Sequence, residues 1–514
     1  MMNESTSRRR LDIDLEELDR VIDSATRAPL AESEAKKLKA ALHAMADRLK
    51  PKRNTEKTHA VTGDSPVAEK PEKSQAEIAA GHGRNGAADF TGAARVAVPH
   101  SALHCGDACP ECGRGKIYRQ KEPATALRIM GQAPLQATVF EMERLRCNAC
   151  GQVFRAAEPP AARGEKYDAT ALAMIALLKY GTGMPFFRIE RLQRQLGMPL
   201  PAATQWELME AAAEPIRPAL QELIRQAAQG AVVYNDDTSM RILRFVRDAA
   251  DKRTGIFTSG IVAVAGGREV ALFFTGRKHA GENLADVLKR RAHEAGAVIQ
   301  MCDALSRNTP KLEGFHILLG NCLAHGRRQF VDVADNFPAE CRYVLEVLRG
   351  VYRADDLARQ RQLAPPERLR FHQERSGPPM RHLYDWLQSQ FAEHKTEPNS
   401  GLGKAISYLL NHWKKLTLFL DVAGAPLDSN VVERALKMAI LHRKNALFYK
   451  TQNGADVGDL FMSLIHTCAL NGVNPFDYLT ELQRHVEALK RAPADWMPWN
   501  YRETLARLTT PVAA

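Results

Sequence analysis

The feature that most constrains the fold is a change of hydrophobic period at Gly230. Before this residue, apolar side chains recur at helical spacing. After it come short apolar runs typical of buried strands, namely AVVYNDDTSMRIL, FTSGIVAVAG and EVALFFTG, the last two joined as a hairpin by Gly266 and Gly267. The helical segment GENLADVLKRRAHEAG separates them from AVIQMCDALSRN and from HILLGN, which runs into another helix. Three antiparallel strands followed by alternating helices and parallel strands are the order of an RNase H-like sheet.

Two aspartates, Asp236 and Asp303, end the first and the fourth of these predicted strands. The two strands are neighbours in that order, so the carboxylates are expected side by side although they are far apart in the chain. A few carboxylates, with the other positions left for water and phosphate oxygens, are what Mg²⁺ takes. Two such ions about 4 Å apart can activate a nucleophile and stabilise the leaving oxygen of an in-line displacement. The pattern predicts a site for Mg²⁺ or Mn²⁺.

A third acid, Glu433, lies in a predicted helix that starts near Asn430. It is a candidate third ligand of the same metal site. The alternative is structural, because Asn430-x-x-Glu433 is close to a capping box, in which Glu433 would only satisfy the start of its helix. Aspartates at strand ends are also common turn residues. The pattern alone leaves both interpretations open.

Nine cysteines include two CxxC knuckles, Cys109 with Cys112 and Cys147 with Cys150, each followed by a glycine. The odd number and the clustering in a long chain argue against a disulfide framework. Four thiolates are the set that a tetrahedral structural Zn²⁺ takes. We predict a zinc-ribbon domain over residues 98–160, with a redox role or chance occurrence as the alternatives.

The rest of the chain divides by composition. Residues 1–50 predict a helical segment, either a short coiled coil or an amphipathic helix packed on its own chain. Residues 51–97 are a linker rich in Pro, Gly, Ser, Lys and Glu. Residues 161–229 have the outline of a helix-turn-helix DNA-binding segment, or of a plain helical spacer. Residues 230–470 hold the catalytic core, with a helical insertion at about 338–420, and residues 471–514 form a C-terminal element.

Charge and hydropathy narrow the class of partner. The formal charge of +11 fits a polyanionic partner such as nucleic acid without requiring one. No run reaches the roughly 18 apolar residues of a membrane helix. The N-terminus has no apolar core of a secretion signal, so we expect a cytoplasmic, nucleoid-associated protein without a membrane partner.

Several motifs of the sequence resemble the motifs of one protein family. The segments YNDDTSMRIL, CDALSRN, NCLAHGRRQF and LDSNVVERALKMAILHRKN are similar to those of the insertion-sequence 66 family of DDE transposases. The resemblance extends to GHGR in the linker, to the two knuckles, and to NGVNPFDYL and DWMPWNY near the C-terminus. It covers roughly residues 10 to 500, in the family's order.

The resemblance implies that Asp236, Asp303 and Glu433 are the catalytic triad of acids. The family's first motif is usually Asp-Glu-Thr, whereas this chain has Asp-Asp-Thr, which leaves open whether Asp236 or Asp237 is the ligand. Ala304 and Leu305 also depart from the Gly or Tyr that commonly follows the second acid. Basic residues that match the family's motifs imply DNA contacts: His325, Arg327, Arg328, Arg434, Arg443 and Lys444. Cys322 and His325 look like half a zinc site, but a core cysteine beside a phosphate-contacting histidine is the interpretation that we prefer.

The sequence thus predicts a multidomain α/β protein with an RNase H-like core and a helical insertion, preceded by an N-terminal helix, a zinc ribbon and a helical DNA-binding segment. The implied function is that of a bacterial insertion-sequence transposase, which cleaves transposon ends and joins them to target DNA. Implied partners are double-stranded DNA, further copies of the chain and small accessory proteins of the same element. The alternatives are a structure-specific nuclease on the same core, or a decayed transposase that only binds DNA.

Overall fold

The computed structural model describes residues 93–120, 124–126, 128–129, 131–148, 150, 152–246 and 253–509, and single positions at 38, 58, 61 and 88. The predicted N-terminal helix, most of the linker and its GHGR motif lie outside the described residues. The chain forms two compact units, one of residues 66–134 and one of the remaining residues. The fold is mixed α/β, with helices in the majority.

The smaller unit contains the first CxxC knuckle. The N–H of Gly113 donates to the carbonyl of Cys109, and the N–H of Cys109 donates to the carbonyl of Gly115, each at 2.8 Å. Gly113 has a φ of +64°, which favours glycine, so the turn that follows the second thiol depends on this residue type. The backbone therefore folds into a tight loop around Cys109 and Cys112.

The second knuckle lies in the larger unit, at the turn of a short hairpin. Strand β1 (Arg144–Arg146) pairs antiparallel with β2 (Val153–Arg155). The N–H of Cys147 donates to the carbonyl of Gln152 at 2.9 Å, which closes the turn that carries Cys147 and Cys150. All four knuckle cysteines are free thiols. A zinc ion shared by both knuckles stays a prediction of the sequence.

Between residue 152 and the main sheet, the described chain forms three α-helices. Helix α1 (Ala169–Ala176) continues into a π-helical turn (Leu177–Gly181), and α2 (Phe186–Gln195) and α3 (Ala202–Ala228) follow. Gln205 in the first turn of α3 is fully buried, and its amide donates to the carbonyls of Phe186 and Leu200. This side chain fixes the turn between α2 and α3, so it does not reach a DNA base.

The main sheet has five strands. They are β3 (Val232–Ser239), β4 (Phe257–Ala265), β5 (Arg268–Gly276), β6 (Val298–Cys302) and β7 (Ile317–Asn321). Their spatial order is β5-β4-β3-β6-β7, with β3, β4 and β5 antiparallel and with β6 and β7 parallel to β3. The predicted adjacency of the first and fourth strands is confirmed. Gly266 and Gly267 form the β4–β5 turn with φ of +58° and +77°, as the hairpin prediction requires.

Helices cover the sheet and fill the predicted insertion. Helix α4 (Ala280–Leu288) joins β5 to β6, and α5 (Leu323–Val333) follows β7. Four helices occupy the insertion, namely α6 (Pro338–Gln360), α7 (Pro365–Arg375), α8 (Gly377–Ala392) and α9 (Gly401–Leu416). The chain returns to the sheet as α10 (Asn430–Ala446) and α11 (Gln452–Leu470) and ends with α12 (Pro475–Arg484), α13 (Val486–Arg491) and α14 (Tyr501–Thr509). Among the described residues, no helix is long and apolar enough to cross a bilayer.

Helix α11 covers the edge strand β5 by hydrogen bonds as well as by packing. Four polar side chains at four-residue intervals bond to the backbone of every second residue of β5: Asp459 to Thr275, Ser463 to Phe273, Thr467 to Ala271 and Asn471 to Glu269. Four helical residues rise about 6 Å and two strand residues about 6.7 Å, so the two series stay in step over this length. The edge is thereby closed to pairing with another strand.

Candidate functional site

Asp236 lies on β3, and Asp303 directly follows the neighbouring strand β6. The parallel register ends with Tyr234 of β3 opposite Met301 of β6, and its continuation by two residues would set Asp236 opposite Asp303. The side-chain amide of Asn308 donates to Asp303 Oδ1 at 2.6 Å and to Asp236 Oδ1 at 3.3 Å. One amide group therefore holds both carboxylates together.

The two carboxylates repel each other. Desolvation, followed by the charge of Asp303, raises the pKa of Asp236 to about 7, although the backbone N–H of Asp237 donates to Asp236 Oδ1 at 2.8 Å and opposes this shift. Two carboxylates held this close favour either a shared proton or a bound cation. Their oxygen donors match the preference of Mg²⁺ or Mn²⁺.

The side chain of Asp237 is engaged elsewhere. It is 2 % exposed, and its Oδ2 lies 2.7 Å from His279 Nδ1 while Oδ1 lies 3.7 Å from an Arg307 guanidinium nitrogen. Successive side chains of a strand point to opposite faces of the sheet, which separates Asp237 from its neighbour Asp236. This geometry favours Asp236 as the metal ligand.

Helix α10, which carries Glu433, packs against β4 at the cross-strand partner of Asp236. Gly260 of β4 is the cross-strand partner of Asp236. A Cβ atom on Gly260 would lie 3.0 Å from the side chain of Leu436 and 3.4 Å from that of Val432, both in α10. Glycine at this position therefore lets the first turns of α10 approach the strand that bears the aspartate.

The capping alternative for Glu433 is wrong. The N-cap of α10 is Ser429, and the side chain of Asn430 donates to Asp428 instead of forming a box with Glu433. Glu433 Oε1 is inaccessible to solvent and has no hydrogen-bond partner among the described residues. His325 Nδ1 is also inaccessible to solvent and makes no hydrogen bond among the described residues. It lies 3.7 Å from Glu433 Oε1. The charge of His325 also lowers the pKa of Asp236, the smallest of the causes that act on it, so His325 lies near that aspartate as well as near Glu433.

A buried amide network supports Asn308. Gln300 Nε2 donates to Asn235 Oδ1 and to the carbonyl of Asn308, and Asn235 Nδ2 donates to the same carbonyl, all at 2.7 Å. Asn321 donates to the carbonyl of Asp303 at 3.2 Å. No sequence motif predicted these residues as part of the site. The available signal was polar residues inside otherwise apolar strands, since buried amides need partners that fix their position.

The basic residues occupy different environments. Arg443, near the end of α10, donates through one guanidinium nitrogen to Thr238 Oγ1 at 2.9 Å, to Ser239 Oγ at 2.7 Å and to the carbonyl of Ser239. It ties α10 to the end of β3. Lys444, the next residue, is exposed.

The remaining predicted DNA contacts flank the acids. Arg327 and Arg328 follow His325 in α5 and are half-buried, and both have partners within the chain, one of them the contact of Arg327 with Thr58 at 3.4 Å. Arg434 is exposed beside Glu433, and its charge, after burial, lowers the pKa of His466. Basic side chains thus surround the start of α10 from two helices.

Comparisons with known proteins place this arrangement in a class and a family. The class is that of the transposases, because residues 164–457, more than half of the chain, match the model of the transposase IS66 family. The chain belongs to that family. It is also 27 % identical over 409 residues to the uncharacterized protein y4jD of Sinorhizobium fredii, which covers 76 % of this chain and 78 % of that protein. The uncharacterized protein y4hP of the same organism is 26 % identical over 423 residues, covering 77 % and 74 %.

Proposed function

We propose that this transposase cleaves and joins DNA by divalent-metal catalysis at Asp236, Asp303 and Glu433 on an RNase H-like core. The observation that carries the proposal is the pairing of Asp236 and Asp303 through Asn308, next to a helix acid whose Oε1 atom lacks a partner. Buried polar atoms without partners are rare in folded proteins. A divalent cation between Asp236 and Asp303 would relieve their repulsion, and Glu433 lies on the helix that packs against the strand next to Asp236.

Mg²⁺ or Mn²⁺ bound there would supply activation of the attacking oxygen and stabilisation of the leaving oxygen. The chain holds the acids in position through the Asn308 amide and the buried network behind it. Water first attacks the phosphodiester at the transposon end, which breaks the bond to the 3′ oxygen and leaves a free 3′-OH. That hydroxyl then attacks a target phosphodiester, so one ester bond forms as another breaks and no protein–DNA bond is needed.

DNA contacts come from the basic residues around the start and end of α10. Exposed Lys444 and Arg434 suit direct phosphate contacts, and His325, Arg327 and Arg328 line the approach to the acids from α5. Arg443 supports the same surface by holding α10 to β3. Transposon ends and target DNA are the proposed partners. Self-association, accessory proteins and the zinc ion of the cysteine knuckles stay sequence-based predictions.

A mini-transposon assay tests the proposal. The full-length protein is incubated with Mg²⁺ and DNA that carries the terminal repeats flanking its own gene, and both cleaved ends and joined products are measured. We expect both products from the wild type and neither from Asp303→Asn. Cleavage without joining would favour the structure-specific nuclease, and DNA binding without cleavage would favour a decayed transposase. Unchanged products from Asp303→Asn would contradict the metal site.

A further inference from the structure

The first turns of α5 and α10 bring together three side chains of mixed donor chemistry. They are Cys322, His325 and Glu433, and one ligand atom from each lies within 4.8 Å of the other two. Cys322 is the N-cap of α5, and His325 lies on the same helix face one turn later. The sequence motif contains the first two of these residues, but only the fold adds the carboxylate.

One backbone hydrogen bond and one bond to the Cys322 sulfur fix this geometry. The N–H of Leu323 donates to the carbonyl of Leu427 at 3.0 Å. The N–H of Ser429 donates to Cys322 Sγ at 3.3 Å. The segment that leads into α10 is therefore tied to the segment that leads into α5. An N–H donor to sulfur is also the kind of outer contact that orients a metal-bound thiolate.

Two polar atoms of this cluster make no hydrogen bond. His325 Nδ1 and Glu433 Oε1 are both inaccessible to solvent and make no hydrogen bond among the described residues, and their separation of 3.7 Å is too long for one. Two nitrogen or oxygen ligands of one tetrahedral Zn²⁺ are about 3.3–3.5 Å apart, as bond lengths near 2.0–2.1 Å require. The observed separation is close to that of two ligands around one ion.

We propose that Cys322, His325 and Glu433 form a binding site for a thiophilic divalent cation such as Zn²⁺, distinct from the Asp236–Asp303 pair. Thiolate and imidazole donors select zinc or cobalt over Mg²⁺, which takes oxygen ligands. Binding forms Sγ–metal, Nδ1–metal and Oε1–metal bonds and releases the thiol proton of Cys322 to solvent. His325 and Glu433 are 26 % and 27 % exposed in their side chains, which leaves a route of entry for the ion.

The site would regulate the reaction, a consequence that rests on the proposed function. Glu433 belongs to both donor sets, so a cation held by Cys322 and His325 withdraws this acid from the catalytic Mg²⁺. Zinc is then a reversible inhibitor of cleavage, and a chelator that removes zinc but leaves Mg²⁺ restores the rate.

Titration of the full-length protein with Co²⁺ tests the site through binding and not through activity. Bound equivalents are counted, and the sulfur-to-cobalt charge-transfer absorption is recorded. We expect the wild type to bind one equivalent more than Cys322→Ser, whatever the knuckle cysteines bind. Cys341→Ser is the matched control, because Cys341 is equally buried but lies in α6 outside the cluster. It should bind as many equivalents as the wild type.

Two further variants keep the test decisive if Cys322→Ser does not fold. His325→Ala and Glu433→Gln alter partly exposed side chains, and each should also lose the one equivalent. Equal cobalt binding by the wild type and all three variants would overturn the proposal. Asp303→Asn separates this result from the proposed function, since it should lose Mg²⁺-dependent cleavage yet keep the sulfur-to-cobalt absorption that depends on Cys322. If Asp303→Asn cleaves normally, the catalytic proposal fails while the cobalt comparison still stands.

Discussion

Asn308 is the residue whose side chain touches both aspartates of the candidate metal site. Its amide donates to each carboxylate, and its own carbonyl is held by Asn235 and Gln300. Removal of a side chain that holds metal ligands in place typically lowers metal affinity or activity by about 10–100-fold. We therefore expect Asn308→Ala to lower the cleavage rate by on the order of 10–100-fold and to raise the Mg²⁺ concentration needed for half-maximal rate.

The control for that variant is Asn283→Ala. The Asn283 amide also donates to a side-chain oxygen, that of Ser259, at 2.8 Å, but it does not touch the acids. Its Mg²⁺ dependence should match the wild type. An equal shift in both variants would mean that loss of an amide hydrogen bond, and not its place between the aspartates, causes the effect.

The two adjacent aspartates should respond differently to the same substitution. Asp236→Asn should remove Mn²⁺ binding at the acids and abolish cleavage, because Asp236 faces Asp303. Asp237→Asn should keep Mn²⁺ binding but destabilise the fold, because it removes the charge that faces His279 and Arg307. Mn²⁺ titration and urea unfolding of both variants measure these effects. The opposite pattern would make Asp237 the ligand.

At the scale of elements, Arg443 connects the helix that bears Glu433 to the strand that bears Asp236. Its bonds to Thr238 and Ser239 are charge-assisted, and such bonds contribute about 1.5–3 kcal/mol. Arg443→Ala should lower the free energy of unfolding in urea by on the order of 2 kcal/mol.

The neighbouring Lys444 gives the matched comparison. Because it is exposed, Lys444→Ala should change stability by less than about 0.5 kcal/mol. It should instead weaken DNA binding and reduce its salt dependence. If the two variants lose equal stability, Arg443 does not hold α10 to β3.

The contact between α11 and β5 predicts a pH effect on stability. Burial raises the pKa of Asp459 from its ordinary value of 3.8 to about 7, although Thr275 donates two hydrogen bonds to it. The folded protein therefore favours the protonated acid, and the unfolded chain releases this proton at lower pH. Stability contributed by the group is present at pH 4 and is lost as the pH rises toward 7.

Asp459→Asn removes this titration while keeping an oxygen acceptor for Thr275. Between pH 5 and 8, the wild type should lose on the order of 1–4 kcal/mol of unfolding free energy relative to this variant. Urea unfolding at several pH values measures the difference. A constant difference across that range would show that Asp459 does not titrate there.

The strand order could be predicted from the sequence because apolar runs and paired glycines are local signals of strands and turns. The adjacency of Asp236 and Asp303 followed from that order. The sequence did not predict the partners of Asp237, the amide network of Asn308 or the approach of Glu433 to His325. Each of these depends on packing between segments that are distant in the chain. Gln205 shows the same limit: no sequence pattern predicted that its amide would close the turn between α2 and α3.

At the scale of the whole molecule, an acidic centre lies within a chain of formal charge +11. Helices α5 and α10 also carry basic residues, and the proposed function requires these to bring a phosphate chain onto the metal that the acids would hold. The insertion helices α6, α8 and α9 contribute Leu345, Leu383 and Leu409 to an apolar cluster that also includes Ile299 of β6 and Phe330 of α5, so the insertion packs onto one side of the sheet region.

In the proposed function, Asp236, Asp303 and Glu433 surround one divalent-metal centre. Replacement of Mg²⁺ by Fe²⁺, followed by ascorbate and peroxide, cuts the backbone next to bound iron, and the cut positions can be mapped by mass spectrometry. We predict cuts near all three acids in the wild type and loss of the cuts near Asp236 and Asp303 in Asp303→Asn. Cuts near Cys322 and Glu433 alone, with none near the two aspartates, would contradict the claim.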